Sequence, residues 1–77
     1  MDIRQLIGKN LKEIRQARGL SQEALALECG LHRTYISGIE RGARNPTALT
    51  LELLAITLDV KPSAFLAHWE KPHSADC

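Results

Sequence analysis

Aromatic side chains are nearly missing from this chain: Tyr35, Phe65 and Trp69 are the only ones among its 77 residues. A core must therefore be assembled mainly from Leu, Ile, Ala and Val. Cysteine is scarce too. Cys29 falls inside a helical pattern and Cys77 is the last residue, so no disulfide framework is available. Cys29 reads as a small buried hydrophobe and Cys77 as a tail thiol. No stretch approaches the roughly 18 consecutive apolar residues of a membrane span. The segment Met1-Asp2-Ile3-Arg4-Gln5 lacks the apolar run of a secretory signal, so a cytoplasmic protein is expected. Strand-like alternation, internal repeats and low-complexity tracts are also missing. So are the constellations that enzymes need: there is no Ser/His/Asp arrangement, phosphate-binding loop or paired-carboxylate motif. No enzyme and no cofactor are expected. His68, His73 and Cys77 are too irregularly spaced to read as zinc ligands, so no metal is expected either.

What is present fits one small domain. A chain of this size builds a marginal core, and a partner subunit is a natural way to bury more apolar surface. The net charge is only +1, but it is unevenly spread. Residues 1–44 hold eight Lys/Arg against five Asp/Glu, and residues 45–77 hold two against four. A basic N-terminal part beside a mildly acidic C-terminal part suggests two surfaces with different tasks.

Punctuation residues divide the chain into five short helices, an all-α architecture. Ile7, Leu11 and Ile14 share one face of a first helix over about Ile3–Arg18, and Gly19 follows where a left-handed residue ends a helix. Ser21 caps a second helix, Gln22–Cys29, in which Leu25, Ala26 and Cys29 share a face; Gly30 ends it. A third, Arg33–Arg41, turns Ile36 and Ile39 inward and is closed by Gly42. The loop Ala43-Arg44-Asn45-Pro46 leads to Thr47, the cap of a fourth helix reaching about Leu58. A fifth opens with Pro62 in its first turn and runs to about Trp69. Residues 1–70 form the domain, and 71–77 carry no periodicity and are expected to be a disordered tail.

The second and third helices, joined through Gly30, fit a helix-turn-helix, with Leu31 placed to plug the angle between them. The residues around them strengthen the case. Ser21-Gln22-Glu23, Ala26, Gly30-Leu31, Tyr35-Ile36-Ser37, Ile39-Glu40-Arg41-Gly42 and Asn45-Pro46 resemble the lambda-repressor/Cro-like (XRE) family. Thr50-Leu51, Leu54-Ala55 and Leu58-Asp59-Val60 look like that family's fourth helix. The resemblance spans about residues 6–66. It implies a five-helix lambda-repressor-like domain that binds operator DNA as a dimer through its third helix. The short form, with His32-Arg33-Thr34-Tyr35-Ile36-Ser37-Gly38-Ile39-Glu40-Arg41-Gly42, looks most like restriction-modification controller proteins. Such a regulator would bind a palindromic site and control its own gene and the endonuclease gene, with RNA polymerase as a further partner. A phage-type repressor or another small XRE regulator is the neighbouring reading.

The resemblance also assigns roles. Arg33 and Thr34, near the start of the third helix, would read base edges in the major groove. Gln22, Tyr35, Ser37, Arg41, Arg44 and Asn45 would contact the DNA backbone or groove edge. Gly38 stands where many relatives carry a longer side chain, and His32 is an N-cap or backbone contact. Arg15 and Glu40 match a partly buried ion pair that joins the first helix to the end of the third, a structural role.

The fourth helix carries a second apolar row. Leu51, Leu54, Ala55 and Leu58 make the inward face, while Leu49, Leu53 and Ile56 lie on another side. With Phe65 and Trp69, and Leu66 nearby, that row is expected to be the homodimer interface. An antitoxin-like protein-interaction module would use the same row to dock a different protein.

Overall fold

The computed structural model describes residues 2–70, and every regular element among them is helical. The expected tail, with His73 and Cys77, lies outside the described residues. Asp2 opens α1 (Ile3–Ala17): its side chain accepts from the Arg4 amide at 2.7 Å, while the Gln5 side chain accepts from the Asp2 amide at 2.9 Å. This reciprocal pairing satisfies two helix-end donors. Ser21 and Thr47 cap α2 (Gln22–Cys29) and α4 (Ala48–Leu58) as their sequence positions predict, accepting from the amides of Ala24 and Thr50. Between them lies α3 (Arg33–Glu40). Helices α1 and α3 each stop one residue before the expected end, with Arg18 and Arg41 in the capping positions. No helix of the described residues is long and apolar enough to cross a membrane.

The core is aliphatic, as the shortage of aromatics requires. Leu11, Leu25, Ile36, Ile39, Leu54 and Leu58 are fully buried, with Ala26, Ala55 and Cys29 filling the gaps between helices. Each such side chain, once withdrawn from water, contributes roughly 1.5–3 kcal/mol. Cys29 is free and buried, and its thiol meets the Thr57 hydroxyl at 3.4 Å.

The C-terminal element departs from expectation. It is a short 3-10 helix, Pro62–Leu66, rather than an α-helix reaching Trp69. Ala67 is extended (ψ 142°) and His68 has a positive φ of 69°, so the chain cannot continue as a helix. The carbonyls of Phe65 and Ala67 turn instead to the buried Asn10 amide of α1, which donates to both at 2.9 Å. That latch also overturns the placement of Phe65 at a dimer interface. Phe65 is 0% exposed and belongs to the core against α1 and α4, because the tight 3-10 turn points it inward. Trp69 stays half exposed.

Gly8 governs how closely α1 can lie on α3. A Cβ there would collide with the Ile39 carbonyl and stand 2.6 Å from that of Glu40. Both obstacles are backbone, so they cannot rotate aside. Gly8→Ala is expected to destabilise the fold by about 1–3 kcal/mol, despite a gain of roughly 1 kcal/mol in helix propensity. Urea unfolding of the two proteins checks this; an unchanged midpoint would show that the two helices can separate freely.

Candidate nucleic-acid interface

The turn between α2 and α3 is built by one residue type in one conformation. Gly30 adopts φ 71°, ψ 25°, a left-handed geometry costly for residues with a Cβ. The Leu31 amide then reaches back to the Ala26 carbonyl at 3.0 Å, and the Leu31 side chain packs on the core. This sets the angle at which α3 leaves α2. His32 takes the N-cap position with its backbone alone: its carbonyl accepts from the amides of Tyr35 and Ile36, and its imidazole caps nothing.

The far end of α3 is held by charge. Arg15 Nε donates to Glu40 Oε2 at 2.6 Å and Nη2 to Oε1 at 3.0 Å, a two-pronged pair with both side chains under a tenth exposed. Arg15 Nη1 donates to the Leu20 carbonyl at 2.7 Å, so all three guanidinium nitrogens are engaged. The ion pair expected from the resemblance is therefore present.

The network continues in a direction the sequence did not reveal. Gln22 Nε2 donates to Glu40 Oε1 at 3.0 Å, and Gln22 Oε1 accepts from Arg33 Nη1 at 3.3 Å. Glu40, an acceptor, dictates which end of the Gln22 amide faces it, and the carbonyl oxygen is thereby presented to Arg33. Arg15, Glu40, Gln22 and Arg33 form one hydrogen-bonded chain from the interior to the exposed start of α3. Residues 11 to 25 positions apart meet here, a spacing with no periodic signal.

The electrostatic consequence is simple. Glu40 is the only carboxylate between Glu28 and Glu52, and it is spent inside the protein. The exposed charge over that stretch is Arg33, Arg41 and Arg44 alone. Thr34 and Asn45 are exposed with them, while Tyr35 and Ser37 are half-buried along α3. Seven of the residues singled out from sequence (Arg33, Thr34, Tyr35, Ser37, Arg41, Arg44 and Asn45) thus lie on α3 or just after it, with Gln22 joined to them through Arg33. His68 sits at the opposite end of the chain, and no His/Cys/Asp/Glu group among the described residues could hold a metal ion.

Removing one partner of a buried pair strands the other charge, which costs about 3–5 kcal/mol. Glu40→Ala is accordingly expected to lose helical circular dichroism and DNA binding together. A fully folded Glu40→Ala protein that no longer binds DNA would refute the structural role.

Comparison with known proteins agrees with this geometry. The helix-turn-helix family model HTH_3 matches residues 11–65. The control protein C.BamHI of Bacillus amyloliquefaciens is 47% identical over 66 residues, covering 84% of this chain and 82% of that protein. The crystal structure of the restriction-modification controller protein C.AhdI of Aeromonas hydrophila superposes with a TM-score of 0.78 at 44% identity, covering 80% of this chain and 94% of that one. The controller protein C.Esp1396I, as a tetramer in complex with its natural 35 base-pair operator, gives a TM-score of 0.76 at 41% identity, covering 86% and 87% of the two chains. With its Gly30 turn, its α3 packed on α1 and α2, and these relatives, the chain belongs to the HTH_3 helix-turn-helix family, of the XRE type.

Proposed function

We propose that this protein is a sequence-specific DNA-binding transcription regulator that acts as a homodimer on a palindromic operator. The observation that carries the reading is that the exposed charges on α3 and the turn after it are all arginines, on a helix held by the buried Arg15–Glu40 pair. In this reading α3 enters the major groove. Arg33, released from or shared with Gln22, pairs with guanine O6 and N7, while Thr34 meets a neighbouring base edge. Gln22, Tyr35, Ser37, Arg41, Arg44 and Asn45 flank them along the backbone or groove edge, neutralising phosphates and fixing register.

Dimerisation is assigned to α4. Leu49 and Ile56 are 77% and 71% exposed, and Leu53 lies between them on the same row. Three large aliphatic side chains in a line are costly to leave in water. The half-exposed Trp69 adds to this surface, and Phe65 no longer does. Two copies joined there would place their recognition helices about 34 Å apart, one turn of the double helix. Likeness to C.BamHI, C.AhdI and C.Esp1396I supports a restriction-modification controller. Control of its own gene and the endonuclease gene, with RNA polymerase as a further partner, is part of the same proposal.

Fluorescence anisotropy with operator DNA is expected to show steep weakening between 50 and 200 mM salt, by roughly 10³-fold or more if six or more phosphates are neutralised. Salt-insensitive or absent binding would favour a protein-docking role for α4. Arg33→Ala is expected to cost about 1–3 kcal/mol at one base pair of each half-site while leaving the fold intact. In analytical ultracentrifugation the protein is expected to sediment as a dimer and Leu53→Glu as a monomer. A wild-type monomer at high micromolar concentration, with and without DNA, would rule the dimer out.

A further inference from the structure

Arg4 stands at the end of α1 where a helix gains nothing from a cation. Aligned peptide dipoles make the first turn of a helix a place for anions, and α1 carries no acid there. The one charged residue in that turn is Arg4. Its guanidinium is taken up by the N-cap residue: Nε donates to Asp2 Oδ1 at 3.2 Å and Nη2 donates to Oδ2 at 3.3 Å. The two side chains are 48% and 46% exposed, so water surrounds much of this pair. The side-chain and backbone hydrogen bonds from Arg4 hold the Asp2 carboxyl below its ordinary pKa, which keeps it a carboxylate.

Packing sets this pair beside the chain that leaves α3. Arg4, Gly8 and Arg15 fall on one side of α1, at i, i+4 and i+11. Gly8 abuts the carbonyls of Ile39 and Glu40, and Arg15 grips the Glu40 carboxylate. Arg4 continues that line one turn beyond Gly8. There the turn after α3 closes on α1. A Cβ on Gly42, at φ 75°, would stand 3.0 Å from Gln5 Cγ, 3.2 Å from Gln5 Cα and 3.4 Å from the Gln5 amide nitrogen. The Arg4–Gln5 peptide therefore rests against the residue that follows Arg41 and shortly precedes Arg44. Three exposed arginines, Arg4, Arg41 and Arg44, thus leave the protein from adjoining turns, with Asp2 as the exposed carboxylate beside them.

Resting on the reading that α3 and the turn after it face DNA, we infer that Arg4 is a further phosphate-binding residue of this surface, and that Asp2 is a built-in competitor that occupies it until DNA arrives. The two N–H bonds that Arg4 gives to the carboxylate oxygens suit two phosphate oxygens equally well. The exchange costs little, because an ion pair so exposed is weak. Asp2 Oδ1 also accepts from the Arg4 amide at 2.7 Å, so the helix cap survives when the guanidinium leaves. Arg4 comes from α1, outside the helix assigned to the groove, and a phosphate contact carries no sequence information. The Asp2–Arg4 pair therefore sets overall affinity and leaves base preference to α3.

The test is the affinity for a site selected from a random DNA library, for its single-base variants and for random DNA, each at several salt concentrations. Unfolding midpoints are measured alongside. Arg4→Gln is expected to lower the slope of log affinity against log salt by about 0.9, the share of one phosphate, and to weaken all these DNAs by the same factor. Arg4→Lys keeps the charge and should restore the slope. Asp2→Asn keeps a good cap and drops the competing charge, so it should bind every DNA more tightly, by up to roughly 5-fold, the worth of an exposed ion pair. The same change made in Arg4→Gln should gain less. An unchanged slope in Arg4→Gln overturns the inference, and so does a preference lost at one base pair, which would make Arg4 a base reader. Unchanged or weaker binding by a folded Asp2→Asn overturns the competition. Arg41→Gln reports separately on the underlying reading. If it too leaves the slope unchanged, the turn after α3 does not face DNA; if it alone lowers the slope, the failure is confined to Arg4.

Discussion

The buried pair between Arg15 and Glu40 is the constraint on which the functional surface depends. Taking two charges out of water costs several kcal/mol for each, and a buried pair recovers that only with good geometry and further hydrogen bonds. Both conditions are met here. The carboxylate takes two prongs from Arg15 and a third bond from Gln22, and Arg15 gives its remaining nitrogen to the Leu20 carbonyl. Because the pair joins the last turn of α1 to the last residue of α3, that helix is fixed at the end away from Arg33 and Thr34. Gly8 lets the two helices close to the distance at which the pair can form.

The same pair shapes the electrostatics of the surface. A carboxylate left exposed on α3 would repel phosphates, and this one is neutralised inside the protein. It also orients Gln22, whose amide hands the effect on to Arg33. A residue with a structural assignment thus prearranges one assigned to base recognition. Preorganisation of this kind lowers the conformational entropy that a long arginine side chain loses on binding.

Apolar surface is divided as unequally as charge. The inward faces of the helices, with Phe65, close a small core, and Asn10 pins the C-terminal turn onto α1. The row Leu49, Leu53, Ile56 finds no place in that core. Exposed arginines thus gather on α3 and the turn after it, and exposed aliphatic side chains along α4.

The sequence by itself determined the helices, their caps and the helix-turn-helix, because those depend on residues within a turn or two of each other. Ser21 and Thr47 as caps, Gly19, Gly30 and Gly42 as left-handed stops, and the inward stripes of α1 and α4 were all legible from spacing. The Arg15–Glu40 pair was legible only through likeness to a family. The tertiary structure alone decided that Phe65 is core, that the last element is a 3-10 turn latched by Asn10, that Gly8 is a contact point and that Gln22 bridges Glu40 and Arg33. It alone set the first turn of α1 against Gly42. Asn10 meets Phe65 across 55 positions and Gln22 meets Glu40 across 18, and hydrophobic periodicity carries no information about which distant side chains will share a hydrogen bond. Local chemistry set the pieces, and the approach of α1, α3 and the closing turn decided what each exposed or hidden side chain could do.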